Sequence, residues 1–270
     1  MSPQSRKTLN QLNKKNMLIL SKNRIESDQL ANLNTPAGTD THTPIPHATL
    51  VDYTRKALNR AGLEITHEEH GLARGDLRYF GGFSITGKDI QANDRNLVVG
   101  IRNSHDKAFA SAICIGNQML VCDNLCFSSD IKLARRHTPR ILTDLPRVLS
   151  SAVSRVTSHW SDMAKRITSY QETEITRNQA ADLMIDLVDS KGFSARDVYK
   201  TVKEFEAPRH EEFKGNNLWN LYNACTEMLK GSDVSKLPQR TMTIQSNFDR
   251  LANHSPSLTV DNETGLVLPA

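Results

Sequence analysis

The hydrophobic period of this chain changes near Arg140, and that change constrains the fold more than any other feature. From Ile141 onward, Ile141, Leu145, Leu149, Val153, Val156, Trp160, Met163 and Ile167 recur at three- and four-residue steps. That spacing puts them on one face of a helix. Before Arg140, apolar and β-branched residues come in short runs separated by turn residues, which is the pattern of strands. The runs "LRYFGGFSIT" (77–86), "NLVVGIR" (96–102), "AFASAICI" (108–115) and "QMLVC" (118–122) predict an antiparallel meander of about four strands. A meander followed by a helical half is an α+β chain.

Local signals refine this plan. "TLVDYTRKALNRAG" predicts a helix ahead of the meander, with Thr49 as N-cap and Gly62 just past its end, where a left-handed residue is common. Gly81-Gly82 predicts a bulge or a close backbone approach. Gly116-Asn117 predicts a two-residue hairpin turn. "HEEH" (67–70) reads as a polar turn before a strand, because its histidines lack the i, i+4 spacing of a helical zinc motif. Pro146 fits if its helix begins near Thr143. Thr176-x-x-Gln179 is a capping box, and two further helices are expected in "NNLWNLYNACTEMLKG" and "SKLPQRTMTIQSNFDRLA". Four regions follow: a basic, flexible arm and linker at 1–47, an α+β core at 48–140, a helical region packed on it at 141–252, and a tail at 253–270.

Composition bounds the setting. The chain has 270 residues, 38% hydrophobic and 24% charged, enough for a packed core under a polar surface. No run approaches a membrane span, and Met17–Leu20 is too short for a signal-peptide core, so the expectation is a cytoplasmic protein with no membrane partner. Four cysteines make no disulfide framework. The net charge of +4 is unevenly spread. The first 24 residues carry Arg6, Lys7, Lys14, Lys15, Lys22 and Arg24 and no acid, and Lys132, Arg135, Arg136, Arg140 and Arg147 form a second cluster around His137. Clustered cations favour a polyanionic partner.

The stretch 101–130 holds a histidine, three cysteines and three aspartates, and three readings compete for it. A metal site would draw on Cys114, Cys122, Cys126, His105 and His137. A turn at Gly116-Asn117 pairs Cys114 with Met119 and places Cys122 on the opposite sheet face, so no structural metal is expected. A catalytic site would use His105, Asp106 and Asp123, with Mg²⁺ held by the carboxylates. That same pairing brings Asn103–Asp106 and Asp123–Phe127 together at one end of the sheet. A binding surface would use Arg102, Lys107, Arg135, Arg136 and Arg140 on phosphates, with Asn103, His105 and Asn124 shaping the groove and Tyr79, Phe80 or Phe83 stacking on bases.

"GIRNSHDKAFASAICIGNQMLVCDNLCFSSD", followed by "ARRHT" and by "LWNLYNACTE" (218–227), resembles the phage/plasmid-like protein family, a bacterial domain of unknown function found on phages and mobile elements. The resemblance covers roughly residues 45 to 252 and leaves the basic arm outside it. It implies a mobile-element origin and no set reaction. The order of helix, meander and long helix is also similar to that of Rad52-like single-strand annealing proteins. The leading expectation is therefore a cofactor-free protein that binds nucleic acid, single-stranded DNA above all, in recombination, annealing or replication. The homo-oligomeric state is open. The alternatives are the hydrolase or nuclease just described and a protein-binding inhibitor of a host defence system.

Overall fold

The computed structural model describes residues 23–88, 90, 95–119, 125–230, 236–254, 258–260 and 267–269. Its centre is one antiparallel sheet of six strands in sequence order: β1 (Arg24–Ile25), β2 (Glu64–Ala73), β3 (Arg78–Thr86), β4 (Arg95–Ser104), β5 (Ser111–Met119) and β6 (Leu125–Arg135). The α+β expectation holds, and the strand count rises from about four to six. One added strand is "HEEH", which lies within β2, where Glu68 and His70 share one face and His67 and Glu69 the other. Two more are β6, which no expected run covered because β5 takes up 111–115 and the start of 118–122, and β1, whose edge position next to β2 draws Arg24 and Ile25 out of the segment expected as arm and linker.

The rest of that segment's described part, up to residue 47, is also built in. A 3₁₀ turn covers Ser27–Asn32 and buries Leu30, and Thr43 N–H donates to the His137 carbonyl at 2.8 Å. Residues 1–22, with most of the basic arm, lie outside the described residues. Two short strands, β7 (Leu258–Val260) and β8 (Val267–Pro269), pair with each other within the stretch expected as a loose tail.

The hairpin after β4 differs from expectation. Gly116 and Asn117 do not turn; β5 runs through them, with Gly116 opposite Val98 and Phe127, and Asn117 opposite Leu97 and Cys126. Ser111 to Asn117 are all buried, and a strand covered on both faces has no reason to break at a small residue. Cys114 thus pairs with Lys132, not Met119, and the register slips at a bulge between Cys114 and Gly116. The link from β5 to β6 departs at Met119 and returns at Leu125.

Side chains alternate across this sheet. One face carries Tyr79, Phe83, Ile101, Asn103 and Ile113 and packs under α1 (His47–Arg60) and α2 (Ile141–Val153). The other carries Phe80, Arg102, Ala112 and Cys114 and meets α7 (Leu237–Leu251). Gly62 has φ of 71°, as its place after α1 requires. Gly81 is needed for space: a Cβ there would lie 2.1 Å from the Tyr79 hydroxyl, which crosses its backbone.

The helical half comprises α2, α3 (Val156–Glu172), α4 (Arg177–Asp189), α5 (Ala195–Glu206), α6 (Leu218–Met228) and α7. The single period from Ile141 to Ile167 is divided between α2 and α3 by a break at Ser154-Arg155. Ser154 Oγ donates to the Ser151 carbonyl and Ser158 Oγ to the Arg155 carbonyl, and such back-bonding competes with the helical ladder. α2 starts at Ile141, so Pro146 falls in its second turn. The capping box at Thr176 and Gln179 is present. α6 is buried on all sides, and Tyr170, Tyr222 and Phe248 pack against one another around it. Behind them Asp249 accepts from Arg166 at 2.8 Å and from Tyr170 at 2.6 Å, tying α3 to α7.

Candidate functional site

One end of the sheet gathers the turn 74–77, the loop 105–110, the connection 136–140 and the segment 38–46. Their junction is the side chain of Asn103, which is fully buried. Its Nδ2 donates to the Ile45 carbonyl at 2.7 Å and to His47 Nδ1 at 2.9 Å. Its Oδ1 accepts from Ser111 Oγ at 2.6 Å and from His137 Nε2 at 2.7 Å. An amide has two donors and one carbonyl, so all of its capacity is used and the neighbouring rings are fixed. His47 keeps Nδ1 bare and donates from Nε2 to the Asp76 carbonyl at 3.0 Å. His137 carries its proton on Nε2. His105 donates from Nε2 to the same Ile45 carbonyl at 2.7 Å and stacks on His47, ring centroids 4.1 Å apart and nearly parallel.

His47 and His137 are held neutral. Burial pulls the His47 pKa down to about 4; the Asp76 carbonyl opposes this and His105 and His137 add to it. Burial, then His42 and His105, likewise pull His137 down to about 4. His42, with its ring centroid 5.2 Å from that of His137, is lowered for the same first reason. Tyr79 stacks on the other side of His47 and bonds His70 Nδ1 at 2.8 Å, while burial raises its own pKa. Beyond His70, Glu68 is forked by Arg55. Its pKa falls to about 2, with His70 the largest cause and Arg55 next in the same direction.

The expected site residues divide into three groups. Asn103 and His105 are buried in this hub and do not line a groove. Lys107, Arg136 and Arg140 are exposed on its rim, joined by Arg74 from the β2–β3 turn. Arg135 is committed to Asp144 of α2. Arg102 points to the opposite sheet face, its guanidinium 4.8 Å from the Phe109 ring. Tyr79, Phe80 and Phe83 are core residues, at most 4% exposed, so they are not open to bases.

His105 and Asp106 form no dyad. Asp106 accepts from Arg78 at 2.6 Å and from Ser104, while His105 Nε2 donates to the Ile45 carbonyl. Asp123 and Asn124 lie outside the described residues. The ends of the link that contains them, Met119 and Leu125, stand at the far end of β5. Seven residues of strand separate Gln118 from Ser111, about 23 Å at roughly 3.3 Å each. The expected meeting of Asn103–Asp106 with Asp123–Phe127 is therefore corrected: Cys126 and Phe127 pair far from Asn103, and Arg135 and His137 take that place. Among the described residues no group of three or more histidines, cysteines or carboxylates is arranged to hold a metal ion.

Sequence reasoning missed His42, His47 and Ser111. The first two sit in "THTPIPH", which composition marked as linker; two histidines bracketing prolines just before a helix were the available signal. Residues 38–253 match the family model described as "Domain of unknown function (DUF932)", and the match begins ahead of these histidines. No curated protein and no solved structure matches the chain.

Proposed function

The chain belongs to the DUF932 family, and from that premise we propose that it is a nucleic-acid-binding protein of a phage or mobile element, acting on single-stranded DNA in recombination, annealing or replication. The observation that carries this reading is the rim. Arg74, Lys107, Arg136 and Arg140 are exposed on three separate loops that the buried hub holds at one end of the sheet. The nearby acids offset them little: Asp106 and Asp144 are taken by Arg78 and Arg135, leaving Asp40 and Asp76 exposed. α2 opens at Arg140, so its positive end adds to the same field. Short loops suit a flexible strand better than the major groove, whose usual readers are a helix or a two-stranded ribbon.

The hydrolase reading loses support, because the described residues gather no carboxylates beside His105. The inhibitor reading has one observation in its favour: Ile185 on α4 and Tyr199 on α5 are large, apolar and more than half exposed. Fluorescence-anisotropy titration with single- and double-stranded oligonucleotides separates the readings. Salt-sensitive binding that favours the single strand is the expected result. No binding to either would leave the inhibitor reading ahead.

A further inference from the structure

Ile185 on α4 is 60% exposed and Tyr199 on α5 is 66% exposed, more than any other large apolar side chain among the described residues. Each sits at the centre of a charged stripe. On α4, Asp182, Ile185 and Asp189 follow one another at i, i+3 and i+7, which places them on one helix face. On α5, Arg196, Tyr199 and Lys203 repeat that spacing. All six side chains are exposed. Each stripe runs about 10.5 Å along its helix, at roughly 1.5 Å per residue.

The other acids near these stripes are matched within the chain. Asp186 pairs with Arg250 and Asp197 with Arg240, both of α7, and Glu204 pairs with Arg209. The inner faces are occupied as well: Leu183, Met184 and Leu187 of α4 are buried, and Val198 and Phe205 of α5 pack on the core. The outward pattern is acid, aliphatic, acid on α4 and base, aromatic, base on α5. Among the described residues Asp182, Asp189 and Arg196 stand in no ion pair, and Lys203 lies only over the Tyr199 ring at 5.1 Å. Lys200 and Glu206 flank the α5 stripe with opposite charges.

We propose that α4 of one copy of this chain docks on α5 of a second copy, and the reverse. The two stripes share one spacing. With the helices laid in register, Asp182 meets Arg196, Ile185 meets Tyr199 and Asp189 meets Lys203. Pairing α4 with α4, or α5 with α5, would oppose like charges, so the complement of each stripe is the other. Both halves of the contact are carried by this one chain, which makes a second copy the partner. Two reciprocal contacts about a two-fold axis close the pair. The contact also accounts for the exposed Ile185 and Tyr199 without a foreign protein. It uses no rim residue and does not rest on the nucleic-acid reading. Two short helix contacts make a small interface, so association should depend on concentration and weaken as salt screens the pairs.

Sedimentation velocity of the full chain over a range of concentrations tests this. The expected result is a monomer–dimer equilibrium that high salt shifts toward monomer. One variant reverses the α4 stripe, Asp182→Lys with Asp189→Lys. A second reverses the α5 stripe, Arg196→Glu with Lys203→Glu. Either alone should weaken association about tenfold or more, because its two stripes then repel. Both change only exposed side chains, so both should melt as the native chain does. An equimolar mixture of the two is the decisive sample. In it the reversed α4 faces the reversed α5, and the native α4 faces the native α5. A dimer recovered in the mixture supports the contact, and a misfolded variant could not produce it. A native chain that stays monomeric at every concentration overturns the proposal. So do variants that associate as the native chain does, or a mixture of folded variants that stays monomeric.

Discussion

Asn103 Oδ1 accepts from His137 Nε2 at 2.7 Å, joining the end of β4 to the connection that follows β6. With its three other bonds, this contact makes one amide the common anchor of four chain segments. Asn103→Ala removes all four bonds and leaves the Ile45 carbonyl and two histidine rings short of partners. The expected loss is about 3 kcal/mol or more in urea unfolding, since buried polar groups left unpaired cost more than the bonds themselves contribute. A loss below about 1 kcal/mol would show that water replaces the amide freely.

Stability should fall in acid earlier than carboxylates alone would cause. His47 and His137 have folded pKa values of about 4, below the unfolded value of 6.5. Above pH 6.5 both states are neutral and stability is flat. Between 6.5 and 4 the unfolded chain takes up protons that the folded chain refuses, so stability declines, by about 3 kcal/mol per histidine. Glu68 acts lower: its folded pKa is near 2, so the stability it adds above its ordinary value of 4.5 is lost between 4.5 and 2. Unfolding free energy measured from pH 8 to 4 should bend downward near 6.5, and His137→Gln should roughly halve the slope below the bend. A flat profile down to pH 5 would contradict the buried, neutral rings.

Gly81→Ala should destabilise by about 2 kcal/mol, because the new methyl would displace the Tyr79 hydroxyl from over the backbone and break its bond to His70. Adding Tyr79→Phe removes the atom in closest conflict. The double variant should therefore lose less than the two single losses added, and strict additivity would rule out the clash.

The register of β5 and β6 can be read by crosslinking. Ala112 and Ala134 are strand partners, so a cysteine at each should form a disulfide under mild oxidation. A turn at Gly116-Asn117 would instead pair Ala112 with Val121. Crosslinking of Ala112→Cys to Val121→Cys, and not to Ala134→Cys, would overturn the strand order described for this half of the sheet.

That register also marks where the sequence was legible. Alternation and helical period located β3, β4 and the helices from α4 onward, because each presents one clear period bounded by a cap or a turn residue. Gly116-Asn117 misled because a glycine followed by asparagine has the chemistry of a turn, and only burial on both faces reveals that the strand continues. β2 was hidden by polarity: Glu68 and Glu69 sit in a strand because Arg55 and Arg24 partner them from neighbouring elements, and His67 bonds Glu69 within the strand. The hub was half legible. Asn103, His105 and His137 stood out in the sequence, but His47 became part of the site only through a contact 56 residues away. No local pattern encodes that contact.

The central claim is that nucleic acid binds at the rim, and its most direct test is the salt dependence of binding to a labelled single-stranded oligonucleotide. The native chain is compared with the triple variant Lys107→Ala, Arg136→Ala, Arg140→Ala. All three side chains are exposed, so both proteins should fold alike. Each lost phosphate contact lowers the slope of log K against log salt by roughly 0.7 on a single strand, so the triple variant should show a slope smaller by about 2 and weaker binding at low salt. An unchanged slope and affinity in the triple variant, or no binding by the native chain, would contradict the account.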